Sequence, residues 1–548
     1  MLQGQSSIKC CGLGMSNKSF FFCQLKGTMA KFREKDTSDE FSKDIAIFEK
    51  NYGSRTVFEE LNHDKLREKL WEKLFHCLSD NSQSSLHHNC LSTLRILSRD
   101  KTKLYELITD ERLGIILNNA ALKDTDAKEH IYTNVTVEAL KLLCNLIFNS
   151  AKVQEILPKT LCLQCLIERM KKYNDHIPYE VTLFDTRIVF LITALNVTTR
   201  HVVKTELNGD ECLIKMLENI SNQYEQDKSH DIKEDNATLL CEILKALFNL
   251  YINSDDMAEE EKNKSLVLIL RKLLLSECEK EDDLQSNIVN LLTVIPYYCY
   301  SVMIPPSKEK HKQIYQNMDM SAVYVLLKFL DKRLNYKTDL IGNLSPIVTT
   351  FIRMVKAERL IRKYARLQIL PPLRDVMHRP EEGTTLRAKL CKLLTSPVVE
   401  VRDLVAEFLF ILCKENVVRM VKYTGYGNAA GMFANKGLLG SNKKKPNYYS
   451  SESEDSETEE YLKHKEQINP VTGCFEHPKP NPLEGMSEEQ KEYEALQLLG
   501  LVDKLTREGV MQPCRIGEDG KPKPIEHVLE LQEKLPKQQY AHQDSDSD

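Results

Sequence analysis

The chain has 548 residues, of which 42% are hydrophobic and 28% are charged, and its formal net charge is −5 at pH 7. This length permits several domains, and the lack of a basic excess argues against a general nucleic-acid binder. No apolar run approaches the roughly 20 residues that a membrane-spanning helix needs, so we expect no transmembrane segment.

The sixteen cysteines lie mostly singly among leucine and isoleucine residues. This pattern is typical of small buried thiols in a reducing compartment, and it indicates a cytoplasmic protein without a disulfide framework. Cys162 and Cys165 resemble half of a zinc site, but no second pair or histidine cluster follows at finger spacing. We therefore expect neither a metal ion nor a cofactor.

Residues 1–40 are predicted to form a disordered N-terminal extension. Their apolar core, "FFFCQL", is shorter than the apolar region of a signal peptide and lacks a clear small-residue cleavage site. Two interpretations stay open: the first 28 residues are a translated extension, or initiation takes place at Met29.

Residues 41–425 are predicted to form an all-α repeat array. Apolar windows of helical period follow one another, strand patterns are almost absent, and only five glycines occur between Phe41 and Tyr423. The segment "EALKLLCNLIFNS" at 138–150 recurs as "EILKALFNLYINS" at 242–254, with eight of thirteen positions identical. Related windows recur every roughly 40–52 residues, which predicts an armadillo/HEAT-like superhelix, followed by a partly disordered tail with one amphipathic helix.

Each recurring helix carries one narrow polar stripe on an otherwise apolar surface. Offsets of 3, 7 and 11 residues put the stripe on one edge of the helix. It consists of Glu138, Lys141, Asn145 and Asn149 in the first copy, of Glu242, Lys245, Asn249 and Asn253 in the second, and Arg95 and Arg99 fit the same register one repeat earlier. Stacked repeats are expected to join these edges into a concave groove that hydrogen-bonds a peptide. The alternative is that the asparagines only cap or bridge neighbouring helices.

A basic stripe follows later in the array. Its members are spaced i, i+3, i+4 and i+7, which puts them on one helix face; they are Arg359, Arg362, Lys363 and Arg366. A charge run of this kind is usually a solvated surface, but it can also receive a phosphorylated segment.

Residues 426–485 are predicted to be a Gly-rich turn and an acidic, phosphorylatable linker. Ser451 and Ser456 each have a glutamate three residues on, which is the placement that an acid-directed Ser/Thr kinase recognises. We expect phosphorylation at both serines to dock the linker on the basic stripe.

Residues 486–510 are predicted to form a tail helix outside the array. The segment "SEEQKEYEALQLLGLVDKLTRE" opens with a capping box made by Ser487 and Gln490. The apolar positions that we expect to contact a partner are Leu496, Leu499 and Val502. Residues 511–548 are predicted to be a disordered C-terminal tail.

The glycines of "KYTGYGNAAG" at 422–431 do not form a nucleotide-binding motif. They match neither G-x-x-x-x-G-K-[ST] nor G-x-G-x-x-G, and a helical array precedes them instead of a strand. No Ser-His-Asp, H-E-x-x-H or kinase set occurs in a suitable context, so we expect no catalytic residues and no enzyme. The glycines are expected to let the last array helix turn sharply.

Several motifs in chain order resemble the synembryn family, named from resistance to inhibitors of cholinesterase. They are "TLRILSRD", "ALKLLCNLIFNS", "FDTRIVFLITAL", "PPLRDV", "VAEFLFILC", "KYTGYGNAAG", "INPVTG" and "NPLEGMSEEQKEYEA". The resemblance covers roughly residues 40–510. It implies a monomeric cytoplasmic protein, with peripheral recruitment to the cell cortex or plasma membrane, that serves G-protein-coupled receptor signalling.

The resemblance further implies a partner, an activity and a set of contacts. Members bind GDP-bound and nucleotide-free α subunits of heterotrimeric G proteins (Gα), as chaperones of nascent Gα and as exchange factors that promote GDP release without βγ. The C-terminal helix of Gα would lie in the groove and contact Arg95, Arg99, Asn145, Phe184, Phe248 and Asn249, and the family's tail phosphosites fall at Ser451 and Ser456. The tail helix at 486–510 would contact Gα as well. The alternative function is an armadillo-type peptide-binding scaffold or adaptor without exchange activity.

Overall fold

The computed structural model describes residues 38–62, 65–124, 131–172, 176–226, 231–252, 259–307, 313–439, 457–477 and 482–525. Residues 1–37 of the predicted extension and both predicted phosphosites, Ser451 and Ser456, lie outside these ranges. Across the described ranges, no helix is long and apolar enough to cross a membrane. The chain divides into two compact units, Met1–Ile295 and Pro296–Asp548.

The first unit is built almost entirely from helices. Its α-helices are α1 (Ser38–Tyr52), α2 (Glu59–Asn62), α3 (Leu66–Ser79), α4 (His87–Leu97), α5 (Leu104–Leu107), α6 (Asp110–Asn119), α7 (Asn134–Asn149), α8 (Ala151–Ile156), α9 (Cys162–Lys171), α10 (Tyr179–Leu195), α11 (Thr198–His201), α12 (Gly209–Gln226), α13 (Glu234–Tyr251), α14 (Glu260–Leu275) and α15 (Glu281–Leu292). Short 3-10 turns occupy Asn81–Leu86 and Leu157–Lys159, and a π turn occupies Val202–Glu206. Strands β1 (Asp231–Ile232) and β2 (Glu277–Cys278) form a parallel pair.

One helix from each repeat forms a central ladder. Helix α4 packs on α7, α7 on α10, α10 on α13 and α13 on α15. These helices are apolar nearly all round and bury most of their length; α7, for example, buries Leu140, Leu143 and Ile147. A helix of this kind is stable only between neighbours. The predicted all-α helical-repeat fold is confirmed.

A buried ion pair fastens the second helix of one repeat to the ladder. Arg169 on α9 donates to both carboxylate oxygens of Asp185 on α10, at 2.5 and 2.7 Å, and to the carbonyl oxygen of Ala120 at 3.0 Å. Burial raises the pKa of the Asp185 carboxyl, and the neighbouring guanidinium opposes that rise. The carboxylate and the guanidinium therefore each depend on the other for solvation.

The second unit continues the helical design and ends in small hairpins. Its α-helices are α16 (Ser321–Arg333), α17 (Leu340–Ala357), α18 (Arg359–Ile369), α19 (Leu386–Leu393), α20 (Val399–Leu412), α21 (Val417–Thr424), α22 (Tyr426–Asn435), α23 (Glu459–His464) and α24 (Glu488–Arg507). Turns of 3-10 helix occupy Tyr297–Met303 and Lys465–Gln467. Antiparallel pairs join β3 (Ile314–Tyr315) to β4 (Met318–Asp319), β5 (Ile468–Asn469) to β6 (Cys474–Phe475), and β7 (Cys514–Ile516) to β8 (Pro522–Pro524).

Two tail segments differ from their sequence-based predictions. The sharp turn is present, because Gly425 separates α21 from α22 with φ 74° and ψ 148°, a conformation that essentially requires glycine. The ten residues after it are the helix α22, however, and β5 and β6 lie inside the predicted linker. The predicted disordered tail likewise contains the β7–β8 hairpin. Tertiary contacts order these weakly patterned segments, and local sequence does not reveal such contacts.

Replacing Asp185 with alanine should destabilise the first unit by about 3–5 kcal/mol, because it leaves the Arg169 guanidinium buried without its carboxylate. The measurement is the denaturant midpoint followed by circular dichroism. Glu168→Ala is the matched control, since it removes an exposed partner of Lys171 at 3.1 Å and should cost less than about 1 kcal/mol. Equal midpoints for the two variants would contradict the role of the buried pair.

Candidate functional site

The recurring asparagines connect successive ladder helices. Asn145 Nδ2 on α7 donates to the carbonyl oxygen of Arg95 on α4 at 3.1 Å, and Asn149 Nδ2 donates to that of Ser98 at 3.0 Å. One repeat pair later, Asn249 Nδ2 on α13 donates to the carbonyl oxygen of Phe190 on α10 at 3.1 Å. These side chains therefore bridge neighbouring helices, which is the alternative that the sequence left open.

Burial separates the roles of the two predicted asparagines. Asn249 is only 5% exposed and also donates to Thr193 Oγ1 at 3.1 Å. Both of its amide hydrogen bonds are therefore internal. Asn145 is half-buried, so part of this residue reaches the surface of the ladder.

An Arg–Glu–Lys arrangement also occurs twice on the ladder. Arg95 Nε on α4 pairs with Glu138 on α7, and Lys141 lies 3.7 Å from the same carboxylate. In the second copy, Arg187 pairs with Glu242 at 2.9 Å, and Lys245 lies 3.4 Å from that carboxylate. Both glutamates are buried whereas all four cations are half-exposed. The surface therefore presents positive charge above buried negative charge.

The sequence reasoning missed Arg187, although a signal for it was present. Arg95 precedes its glutamate by 43 residues, within the repeat length of roughly 40–52 residues, whereas Arg187 precedes its glutamate by 55 residues, slightly beyond it. A search for arginines one repeat before each stripe glutamate therefore finds Arg95 and includes Arg187 only when the window is widened to 55 residues.

Arg99 is fastened to the preceding segment. Its Nη1 donates to the carbonyl oxygens of Gly53 at 2.6 Å and Arg55 at 3.3 Å. Burial lowers the pKa of the Arg99 guanidinium, and the positive charge of Arg95 acts in the same direction. Arg99 therefore links the end of α4, the first ladder helix, to the segment after α1, and its side chain stays half-exposed.

Aromatic rings lie between the cations of this surface. Phe184 is half-buried, with Lys141 Nζ at 5.4 Å and the Arg187 guanidinium at 5.3 Å from its ring centroid. Phe148, which the sequence reasoning did not select, is 59% exposed and has Lys101 Nζ at 5.4 Å. The predicted contact Phe248 is half-buried. We call this surface, made by the half-exposed or exposed side chains of α4, α7, α10 and α13, the ladder face.

The chemistry of the ladder face suits an apolar segment that also carries a carboxylate. Exposed or half-exposed phenylalanines offer apolar contact area, and cations over their rings keep positive charge at the surface. The buried acids hold these cations in place.

In the glycine-rich segment, the N–H groups that could bind a phosphate already donate to other acceptors. Tyr426 and Gly427 are the first two residues of α22, where backbone N–H groups have no intrahelical acceptor. The Tyr426 N–H donates to the carbonyl oxygen of Pro470 at 2.8 Å, and the Gly427 N–H donates to that of Val471 at 2.9 Å. Carbonyl groups of the β5–β6 turn thus occupy the position in which a phosphate oxygen would accept.

The four residues of the predicted basic stripe differ in their exposure to solvent. All four residues lie on α18; Arg359 is exposed, and Arg362 and Lys363 are half-buried. Arg366 differs from the prediction, because it is only 5% exposed and its Nη2 donates to the hydroxyl of Tyr423 at 3.0 Å. The interior of the second unit therefore holds Arg366.

The acidic segment at 440–456 lies outside the described residues, and the chain after it begins at Glu457, close to α21 and to the segment that follows α18. Glu457 lies 4.0 Å from Lys422 and 3.0 Å from Lys465, and the Thr458 hydroxyl donates to the carbonyl oxygen of Leu373. Leu373 follows α18 by a few residues. The downstream end of the acidic segment is thus anchored beside α21 and the segment after α18.

The tail helix is present and exposes its apolar side chains. Ser487 and Gln490 form the predicted capping box. Leu496 is 62% exposed, Leu499 is 38% exposed, and Val502 is half-exposed. Further exposed apolar residues that the sequence reasoning omitted are Tyr493, Leu498 and Leu501. No residue of this helix is buried, which is unusual for a helix with several leucines.

A family model and the sequences of known proteins agree on one family. A family model described as "Guanine nucleotide exchange factor synembryn" matches residues 90–521. The chain is 39% identical over 542 residues to "Chaperone Ric-8A" of Xenopus tropicalis, covering 95% of this chain and 99% of that protein. It is 36% identical over 541 residues to "Chaperone Ric-8" of Drosophila melanogaster, covering 88% and 93%. A crystal structure of an engineered protein is similar with a TM-score of 0.48 at 14% identity, over 77% of this chain and 85% of that one.

Asn249→Ala should lower the free energy of unfolding by about 1–3 kcal/mol, because it removes two internal hydrogen bonds between α10 and α13. Chemical denaturation measures the change. Asn219→Ala is the matched control: Asn219 lies on α12 of the same unit and is exposed, so its loss should change stability by less than about 0.5 kcal/mol. A neutral Asn249→Ala would refute the bridging role.

Proposed function

Since the chain belongs to the guanine nucleotide exchange factor synembryn family, we propose that it binds Gα subunits, assists their folding and promotes GDP release from them. The observation that carries this proposal is the family match over residues 90–521, with relatives named as Ric-8 chaperones along nearly their whole length. The ladder face and the exposed tail helix supply two surfaces for such a partner.

The ladder face is the proposed binding surface for the C-terminal helix of Gα. An amphipathic helix that ends in a carboxylate matches the phenylalanines and cations of this surface. Phe184, Phe248 and Arg95 are the proposed direct contacts. Arg99, Asn145 and Asn249 are proposed to act by positioning other residues, because their hydrogen bonds hold successive elements of the ladder together.

Exchange follows from linkage between two binding equilibria. If the protein binds nucleotide-free Gα more tightly than GDP-bound Gα, it must weaken GDP binding by the same factor. Capture of the C-terminal helix on the ladder face and of a second Gα surface on the tail helix would favour the nucleotide-free form. Neither step requires covalent chemistry.

Chaperone activity follows from the same preference. A protein that binds a partly folded Gα removes exposed apolar surface from solution and so protects it from aggregation. Cytoplasmic action with peripheral recruitment to the cell cortex or plasma membrane, as a monomer, is part of the proposal. The burial of cysteines such as Cys144, Cys162 and Cys391 as small apolar side chains supports a reducing compartment.

Phosphorylation of Ser451 and Ser456 by an acid-directed kinase is proposed to dock the acidic segment on α18. Arg359, Arg362 and Lys363 are the receiving cations, because Arg366 lies in the interior. The anchored position of Glu457 and Thr458 beside α21 supports this path. Each phosphate adds about −1.5 to −2 charges and can accept one to three charge-assisted hydrogen bonds.

Leu496→Asp/Leu499→Asp should reduce the acceleration of GDP release at least tenfold, because each leucine that becomes buried against Gα would contribute about 1.5–3 kcal/mol to binding. Binding of a Gα C-terminal peptide to the ladder face should stay unchanged. Gln497→Asp, on the same helix, is the matched control. If wild-type protein binds the peptide but never accelerates GDP release, the adaptor function replaces exchange.

Arg359→Glu/Lys363→Glu should slow exchange by phosphorylated protein about three- to tenfold and leave unphosphorylated protein unchanged, because exposed ion pairs contribute about 1 kcal/mol or less each. Exchange assays on both forms at low and high salt measure this effect. Arg387→Glu/Lys392→Glu on α19 reverses the same number of charges as a control. If the charge reversal slows exchange by the phosphorylated and unphosphorylated forms equally, the cations of α18 do not receive the phosphates.

A further inference from the structure

Helix α22 is held at its beginning by the hairpin that precedes the tail helix in sequence. The β5–β6 turn supplies the carbonyl oxygens of Pro470 and Val471 to the N–H groups of Tyr426 and Gly427. The same hairpin is fixed on its other side, since the Phe475 N–H donates to the carbonyl oxygen of Val376 at 2.7 Å. The chain that leads to the tail helix therefore starts from a fixed point.

The end of α22 is held by the hairpin that follows the tail helix. The Leu439 N–H donates to the carbonyl oxygen of Gly520, in the turn between β7 and β8, at 3.1 Å. Gly437 and Gly520 cross so closely that a Cβ added at Gly520 would overlap the carbonyl oxygen of Gly437. Two glycines at this crossing allow the two backbones to meet. Ile525, just after the hairpin, is buried.

The two anchors therefore lie at opposite ends of one short helix. Helix α22 has ten residues and a length of about 15 Å, whereas the twenty-residue tail helix α24 measures about 30 Å. The tail helix itself buries no side chain. Its position thus depends on the hairpins before and after it.

We propose that the β7–β8 hairpin is a second anchor that turns the tail helix into a strap tied at both ends, with the Gly437–Gly520 crossing as its positioning contact. Tying both ends restricts the space that the helix explores and raises its effective concentration at the bound partner. The inference rests on the proposed function, because the partner of the strap is Gα.

The test begins with hydrogen exchange on the full chain without Gα. Gly520→Ala should raise the exchange rate of the Leu439 amide, and of residues 513–525, at least tenfold. Gly383→Ala is the matched control: Gly383 also has a positive φ, 104° against 72° at Gly520, so alanine is strained at both positions, but nothing lies within 4 Å of its added Cβ and it lies far from the tail helix in sequence. Leu439→Pro removes the donor N–H from the other side and should deprotect residues 513–525 in the same way.

Unchanged protection in Gly520→Ala, or equal loss of protection in Gly383→Ala, would overturn the anchor. The second measurement is GDP release from Gα, in which Gly520→Ala should be about tenfold slower than Gly383→Ala. Equal rates for these variants, with the anchor lost by hydrogen exchange, would overturn the positioning role. If wild-type protein does not accelerate GDP release, the proposed function fails while the hydrogen-exchange result on the anchor stands.

Discussion

The stability of the first unit depends on one constraint: its ladder helices are apolar nearly all round and have to be covered by neighbouring helices. The apolar sides of such a helix cannot face water, so neighbouring helices cover α7, α10 and α13 on most sides, and a polar group that lies between two helices needs an internal partner. The amides of Asn145 and Asn249 meet that requirement by donating to the carbonyl groups of the preceding ladder helix. The same bonds fix the spacing of successive repeats, and with it the spacing of the side chains on the ladder face.

Binding chemistry and stability share residues on this surface. Glu138 and Glu242 lie beneath the surface and hold Arg95, Lys141, Arg187 and Lys245 at its edge. A surface cation that already has a buried counterion loses little conformational freedom when a ligand arrives, which favours binding. Substitution of a ladder-face residue therefore changes the scaffold and the proposed binding surface together, and stability has to be measured beside affinity.

The tail follows a different principle from the repeats. Helix α24 gains nothing from core packing and keeps its leucines exposed, so contacts at its two ends determine where it lies. Backbone hydrogen bonds from the β5–β6 turn and from Gly520 supply those contacts at the two ends of α22. A helix held in this way can lie across a partner without first becoming part of the core.

The sequence by itself determined the features that local patterning controls. Helical period and the recurrence of "EALKLLCNLIFNS" predicted the repeats, and the capping box at Ser487 and Gln490 predicted the start of the tail helix, because each depends on residues a few positions apart. The glycines at 425–431 predicted a sharp turn, and Gly425 makes it.

Only the tertiary structure decided which face of each element is covered. The stripe asparagines lie at the border between the buried and exposed sides of their helices, and the position of the neighbouring helix turns Asn249 inward. Arg366 shares a helical stripe with Arg359, but it lies in the interior, where it donates to the hydroxyl of Tyr423, a residue distant in sequence. The β7–β8 hairpin has little strand pattern of its own and is ordered by backbone contacts at Gly437 and Leu439. Long-range contacts of this kind leave no periodic signal in the sequence.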